Sequence, residues 1–270
     1  MLSNPRADRV AAVRALAKRS VRTRTGRFVV EGPQGVREAV RHAADRVVDV
    51  YATVAAADRY GEDILTPART AGLHVHETSE EVLAAMADAD TPQGVIAVVT
   101  DTMPTLQDLL EADPRLLVFL THVRDPGNLG TVIRAADAAG ADGVLISASS
   151  VDLTSPKVVR STAGSLFHLP VVRGLPIEAS LRELRERGIR TLAADGHGTD
   201  LLPDTDLSGP HAWVLGNEAW GLPEEVRAGC DAVVRVPIYG RAESLNLAMA
   251  ATICVYASAL AHDRGTRPLG

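Results

Sequence analysis

Apolar and polar residues change their rhythm about 100 residues into the chain. Before that point, apolar runs alternate with stretches of helical spacing. Val10, Val13 and Leu16 recur three apart, which predicts a helix over residues 5–19 with arginines on its outer face. Residues 27–31 (Arg-Phe-Val-Val-Glu) read as a strand ended by Gly32-Pro33. A helix through Val36, Ala39 and Val40 follows, then an apolar strand from Val47 to Val54. The alternation continues with a helix near 55–70, a strand at Leu73–His76, a helix near 79–86 and a strand at Val95–Val99. This is the order of a small α/β domain.

Further on, the apolar runs become continuous: Leu116–Leu120, Val144–Ile146, Ile189–Ala193, Ala212–Leu215 and Val233–Val236. Strands covered on both faces read this way. With helical stretches between most of them, the pattern predicts a parallel sheet with helices on both faces. Asp101-Thr102-Met103-Pro104-Thr105 is polar and contains a proline, so the expected division is a first domain over 1–103, a linker over 104–113 and a second domain over 114–270.

Ligands of parallel sheets bind at the C-terminal ends of strands, and three segments with chemical potential follow such ends. In Asn128-Leu129-Gly130-Thr131-Val132-Ile133-Arg134, Asn128 is expected to cap a helix and Gly130 to permit close backbone approach. Arg134 stands one turn beyond Gly130, able to point back toward the loop. In Gly216-Asn217-Glu218-Ala219-Trp220-Gly221-Leu222, Gly216 permits a tight turn and Glu218 presents a carboxylate. In Glu243-Ser244-Leu245-Asn246-Leu247, Ser244 is the expected N-cap of a helix over Leu245–Ala259. Asn246 then falls inside the first turn, where an amide gains little unless it bonds outside the helix. Read singly, each segment is also an ordinary strand–turn–helix junction.

Composition narrows the field. Hydrophobic residues make up 46% and aromatic residues 3%, so aliphatic side chains must fill the core. No apolar run reaches the ~18 residues of a membrane helix, and the N-terminus lacks the apolar stretch of a secretory signal. A cytoplasmic protein is expected. Cys230 and Cys254 have no metal-ligand spacing, the histidines show no catalytic or metal pattern, and no metal is expected. The net charge of −6 argues against a polyanionic partner, but it conceals an asymmetry. Residues 1–27 carry eight basic side chains and one acid, hence +7, leaving −13 for the remainder. A basic arm on an acidic body points to nucleic acid, with Arg6, Arg14, Lys18, Arg19, Arg22, Arg24 and Arg27 as candidate contacts. A solvated helix face is the alternative.

The three segments, in this order, resemble the motifs of the SpoU family of RNA ribose methyltransferases. Arg160-Ser161-Thr162-Ala163-Gly164-Ser165 and His168-Leu169-Pro170-Val171 resemble that family's connecting segment. Phe28-Val29-Val30-Glu31-Gly32 and Thr91-Pro92-Gln93-Gly94-Val95 look like its appended RNA-binding domain, which resembles a ribosomal protein. The resemblance implies an α/β methyltransferase domain whose sheet end is tied into a deep trefoil knot. It implies S-adenosylmethionine held at Gly216, Val236, Ile238 and Leu245, with Asn246 nearby. It further implies methylation of a ribose 2′-hydroxyl by a homodimer, with Arg134, Asn128, Glu218, Ser244 and Asn246 at the reaction centre. Ribosomal RNA suits the appended domain better than transfer RNA. Two other readings stay open at this level: a silent RNA-binding or ribosome-assembly protein of the same fold, and a methyltransferase acting on a base.

Overall fold

The computed structural model describes residues 1–263. The chain begins with α1 (Asp8–Ala15), α2 (Arg19–Thr25), β1 (Arg27–Glu31), α3 (Pro33–His42) and β2 (Val47–Thr53). It continues through α4 (Val54–Tyr60), α5 (Thr66–Thr70), β3 (His74–Thr78), α6 (Glu80–Met86), β4 (Val95–Thr100) and α7 (Leu106–Leu110). Then come β5 (Leu116–Leu120), α8 (Pro126–Ala138), β6 (Gly143–Ser147), α9 (Pro156–Ser161), β7 (Val171–Leu175) and α10 (Ile177–Glu186). The last elements are β8 (Arg190–Ala194), β9 (Asp200–Leu201), β10 (His211–Leu215), α11 (Glu224–Ala228), β11 (Ala232–Arg235) and α12 (Leu247–Asp263). No helix among the described residues is long and apolar enough to cross a membrane.

Two compact units form. The first comprises Met1–Thr102 together with Asp152–His168. Its sheet has the order β1-β4-β2-β3, with β2 and β3 parallel and the other neighbours antiparallel. The helix expected over 5–19 is shorter: α1 ends at Ala15, a turn at Leu16–Lys18 follows, and Arg22 of α2 holds that turn. This side chain is 3% exposed and donates to the carbonyls of Leu16 at 2.8 Å and Ala17 at 2.7 Å, consuming acceptors that a continuing helix would need. It also donates to Asp152 Oδ2 at 2.6 Å. Burial opposes ionisation of the Asp152 carboxyl, but the hydrogen bonds from Arg22 and Thr154 outweigh it and hold the carboxyl below the usual range. Arg22 is therefore an internal tie, not an RNA contact as expected. Arg19, though exposed, lies 3.9 Å from the same carboxylate. Arg6, Arg14, Lys18, Arg24 and Arg27 are exposed and make no ion pair among the described residues. The segment 152–168, expected in the second domain, packs its α9 on β1 of the first unit.

The second unit comprises Met103–Val151 and the described residues from Leu169 onward. The expected linker is not slack: residues 106–110 form α7, closed by a reciprocal Thr105–Asp108 capping box. Its Leu106, Leu109 and Leu110 are buried in one core with Leu117, Phe119, Leu145 and Val214. The seven strands have the order β7-β6-β5-β10-β8-β11-β9, and every neighbouring pair is parallel. The chain lays β6 and β7 on one side of β5. It then returns on the other side, where β10 enters between β5 and β8 and β11 between β8 and β9. All five residues of β5, β6 and β10 are buried, which accounts for their unbroken apolar character. β7 and the two-residue β9 were not expected.

Candidate active site

The loop after β10 turns back on itself. Asn217 and Gly221 exchange N–H···O bonds of 2.8 and 2.9 Å, and Gly221 takes a left-handed φ of 71°. A Cβ on Gly216 would collide with the Gly221 carbonyl, so the turn closes only around glycine. The buried Asn217 holds the neighbouring loop by donating from Nδ2 to the His122 carbonyl at 2.8 Å. Glu218 is thereby presented to the start of α8, where it accepts from the backbone N–H of Arg124 (3.3 Å) and Asp125 (3.2 Å) and from Asn128 Nδ2 (3.2 Å).

The caps differ from expectation, and the difference frees two amides. Asp125 caps α8, its Oδ1 accepting from the Asn128 N–H at 2.7 Å. Asn128, expected as the cap, lies in the first turn and turns its side chain outward. At the other helix, α12 begins at Leu247, and Asn246 rather than Ser244 caps it. Asn246 Oδ1 accepts from the N–H of Ala248 at 2.9 Å and Met249 at 3.4 Å. Its Nδ2 then donates to Asn128 Oδ1 at 3.1 Å. Since a carboxylate can only accept, both amide orientations follow. Asn246 donates to Asn128 and Asn128 donates to Glu218, so two hydrogen bonds join all three segments. Ser244 lies outside this chain.

A cavity of about 240 Å³ opens among the loops following β8, β10 and β11. Gly216, Val236, Ile238 and Leu245 all line it, as do Glu218 and Ser244; Asn128, Asn246 and Arg134 do not. Its lining holds three carboxylates, Asp195, Glu218 and Glu243, and no basic side chain. A partly apolar lining that holds carboxylates and no basic side chain fits a ligand with an apolar ring and a positive charge, as S-adenosylmethionine has.

Asp195, in the Asp195-Gly196-His197-Gly198 segment that reads as a turn, is a wall of this cavity. Its side chain is 6% exposed and its Oδ1 accepts from the His197 N–H at 2.9 Å, His197 Nδ1 at 2.7 Å and Arg227 Nη1 at 3.3 Å. Burial opposes its ionisation, but these donors, with the N–H of Leu222, keep its pKa below the ordinary carboxylate value. The only advance signal was its position at a strand end.

Arg134, expected to point back toward the loop, is not part of the cavity lining. It is exposed on α8 and makes no hydrogen bond or ion pair among the described residues. Six residues along a helix is a rotation of about 240° beyond a full turn, so Arg134 cannot share the face that Asn128 turns to Glu218. Elsewhere, Glu38 accepts from His168 at 3.1 Å and lies 3.4 Å from His42, and their donor atoms fall within 4.8 Å of one another. One carboxylate bridging two imidazoles accounts for that group. Cys230 and Cys254 are free, and burial pushes both thiols up to about 12. Trp213 is fully buried and Trp220 is exposed.

Known proteins share this architecture. Residues 7–97 match the MRM3-like substrate binding domain. The chain is 36% identical over 239 residues to the 23S rRNA (guanosine(2553)-2′-O)-methyltransferase RlmP of Bacillus subtilis, covering 87% of this chain and 89% of that protein. The crystal structure of the AdoMet-bound rRNA methyltransferase from Sinorhizobium meliloti superposes with a TM-score of 0.82 at 31% identity, over 95% of this chain and 96% of that one. The SpoU methyltransferase AviRb from Streptomyces viridochromogenes, in complex with AdoMet, also gives 0.82, at 30% identity over 96% and 100%. Residues 115–256, which hold every strand-end loop described above, match the SpoU rRNA Methylase family, and the chain belongs to it.

Proposed function

We propose that this protein transfers a methyl group from S-adenosylmethionine to a ribose 2′-hydroxyl of ribosomal RNA, acting in the cytoplasm as a homodimer. The observation that carries the reading is the hydrogen-bonded chain Asn246–Asn128–Glu218, which gathers three separated segments at the rim of the anionic cavity. When bound, S-adenosylmethionine supplies a methyl group on a positively charged sulfur. Gly216 and the loop it closes shape the seat, and Val236, Ile238 and Leu245 exclude water from it. Glu218, Asp195 and Glu243 favour a cationic occupant electrostatically. A knotted path of these loops belongs to the same reading.

Arg134 is assigned the ribose side. A guanidinium with a pKa above about 12 is a poor proton acceptor but a strong donor to phosphate and to a developing alkoxide. Because Arg134 lies outside the lining of its own protomer's cavity, the reading places it against the cavity of a second copy. The surface of α12 supports that arrangement. Met249, Ile253, Tyr256 and Leu260, spaced four, three and four apart, form one apolar stripe, 41–65% exposed. α8, which carries Arg134, packs against this same helix. Arg6, Arg14, Lys18, Arg24 and Arg27 are assigned to RNA phosphates.

The test uses Arg134→Ala with ribosomal RNA from a strain lacking the enzyme. Arg134 has no partner within the described residues, so the variant should keep its melting temperature and its calorimetric affinity for S-adenosylmethionine. Methyl transfer should fall at least about 10²-fold, as for loss of one donor to developing charge. Near-normal turnover would refute the assigned role. A product whose adjacent phosphodiester stays alkali-labile would refute ribose as the acceptor.

A further inference from the structure

A second, smaller cavity lies wholly within the first unit and has about 130 Å³ of space. Whole-ligand pockets run to about 300–1,000 Å³, so this one has room for a single ring system. Its floor is apolar, with Pro92, Val95 and Ile96. Its rim is polar, with Thr91, Gln93 and Arg160.

The rim is built in an unusual way. Glu31, with 6% of its side chain exposed, accepts from the backbone N–H of Asp88 at 2.7 Å and of Ala89 at 3.0 Å. This fixes the loop that carries Thr91 and Gln93. Arg160 Nη1 reaches Glu31 at 3.4 Å and Asp88 at 3.0 Å, so its planar guanidinium is held in place rather than left to solvent. Gly32, with φ of 91°, leaves space that Gln93 uses: a Cβ there would come within 3.1 Å of Gln93 Oε1. Gln93 and Thr91 are exposed and make no hydrogen bond among the described residues.

Electrostatics decides what such a pocket can take. The two charged groups of the lining, Glu31 and Arg160, are paired with each other, so the pocket offers no free positive charge to hold a phosphate. A neutral, flat group with hydrogen-bonding edges suits both the apolar floor and the mixed donors and acceptors of the rim. We propose that this cavity receives one unstacked nucleobase of the RNA substrate, the base lying on Pro92 and Ile96 with its edge against Gln93, Thr91 and Arg160. Reading of splayed bases by amide, hydroxyl and guanidinium groups is the general mode for single-stranded RNA. The proposal rests on RNA being the substrate. It adds sequence selectivity to a surface otherwise made of phosphate contacts, which position but do not specify.

The test compares Gln93→Ala and Lys18→Ala in the full-length protein, by filter binding to ribosomal RNA from a strain lacking the enzyme. Neither side chain has a partner among the described residues, so both variants should keep the parent melting temperature. Gln93→Ala should weaken binding about tenfold, the scale of one lost base contact, with no change in salt dependence. Lys18→Ala should lower the slope of log K against log salt by about one. Thr91→Val should act in the same direction as Gln93→Ala. Wild-type affinity in Gln93→Ala, or a loss that comes with a shallower salt slope, would overturn the base pocket. If the wild-type protein binds this RNA but does not methylate it, the proposed activity fails while the binding result for Gln93 still stands.

Discussion

At the scale of single residues, Asn246 combines two jobs that substitution can separate. Its Oδ1 caps α12 and its Nδ2 donates to Asn128. Asn246→Asp keeps an acceptor for the free N–H groups and adds favourable charge at a helix N-terminus, so the cap survives. The link does not, because a carboxylate oxygen then faces Asn128 Oδ1 with no proton between them. Asn246→Asp is therefore expected to melt within a few tenths of a kcal/mol of the parent while methyl transfer falls at least tenfold. Asn246→Ala loses both functions and should in addition destabilise the fold by about 1 kcal/mol. Equal activity in the Asp variant and the parent, measured beside urea denaturation, would break the connection between the amide chain and catalysis. The residue types of this site were legible in the sequence, but their bonding was not. Asparagine and serine both cap helices, and only the fold reveals that Asp125 and Asn246 take those positions.

Among elements, α12 is anchored to β10 by one buried hydroxyl. Ser258 Oγ accepts from Trp213 Nε1 at 2.8 Å and lies 2.7 Å from His211 Nε2. The Gly209 carbonyl, 2.8 Å from His211 Nδ1, requires a proton there, so in the neutral ring Nε2 accepts from the Ser258 hydroxyl. Ser258→Ala strands two buried polar groups and should cost about 1–3 kcal/mol. The same site sets a pH dependence. Burial, above all, lowers the His211 pKa from its ordinary 6.5, so the unfolded chain takes up a proton that the folded chain resists. The stabilisation is complete above about pH 6.5 and is lost as pH falls toward the folded-state value. Chemical denaturation at pH 8 and pH 5.5 should show that loss, and its absence would mean that the ring is protonated in place. Strands such as β5 and β10 were readable because burial on both faces leaves an unbroken apolar run. β7 escaped because Arg173 and Gly174 interrupt its run, and the early end of α1 escaped because Arg22, which holds the turn after it, acts on carbonyls through the fold.

At the level of the whole molecule, the proposed homodimer gives Arg134 a site to serve. A symmetric pair of the proposed kind, in which each copy completes the other's site, would cover the apolar stripe along α12 and seat a guanidinium that lies outside the lining of its own cavity. Ile253→Asp combined with Leu260→Asp would place two charges in such an interface and should yield monomers by light scattering. The monomers should still bind S-adenosylmethionine but transfer no methyl groups. Mixed dimers provide the sharper test. Arg134→Ala and Glu218→Ala are each expected to be inactive alone. If Arg134 serves the opposite cavity, a dimer containing one of each retains one intact composite site, and random mixing should restore about a quarter of the parent activity. If Arg134 instead serves its own cavity, every site in the mixture lacks one group and the activity stays at zero. Recovery on mixing would also explain why Arg134 makes no hydrogen bond or ion pair among the described residues of its own chain.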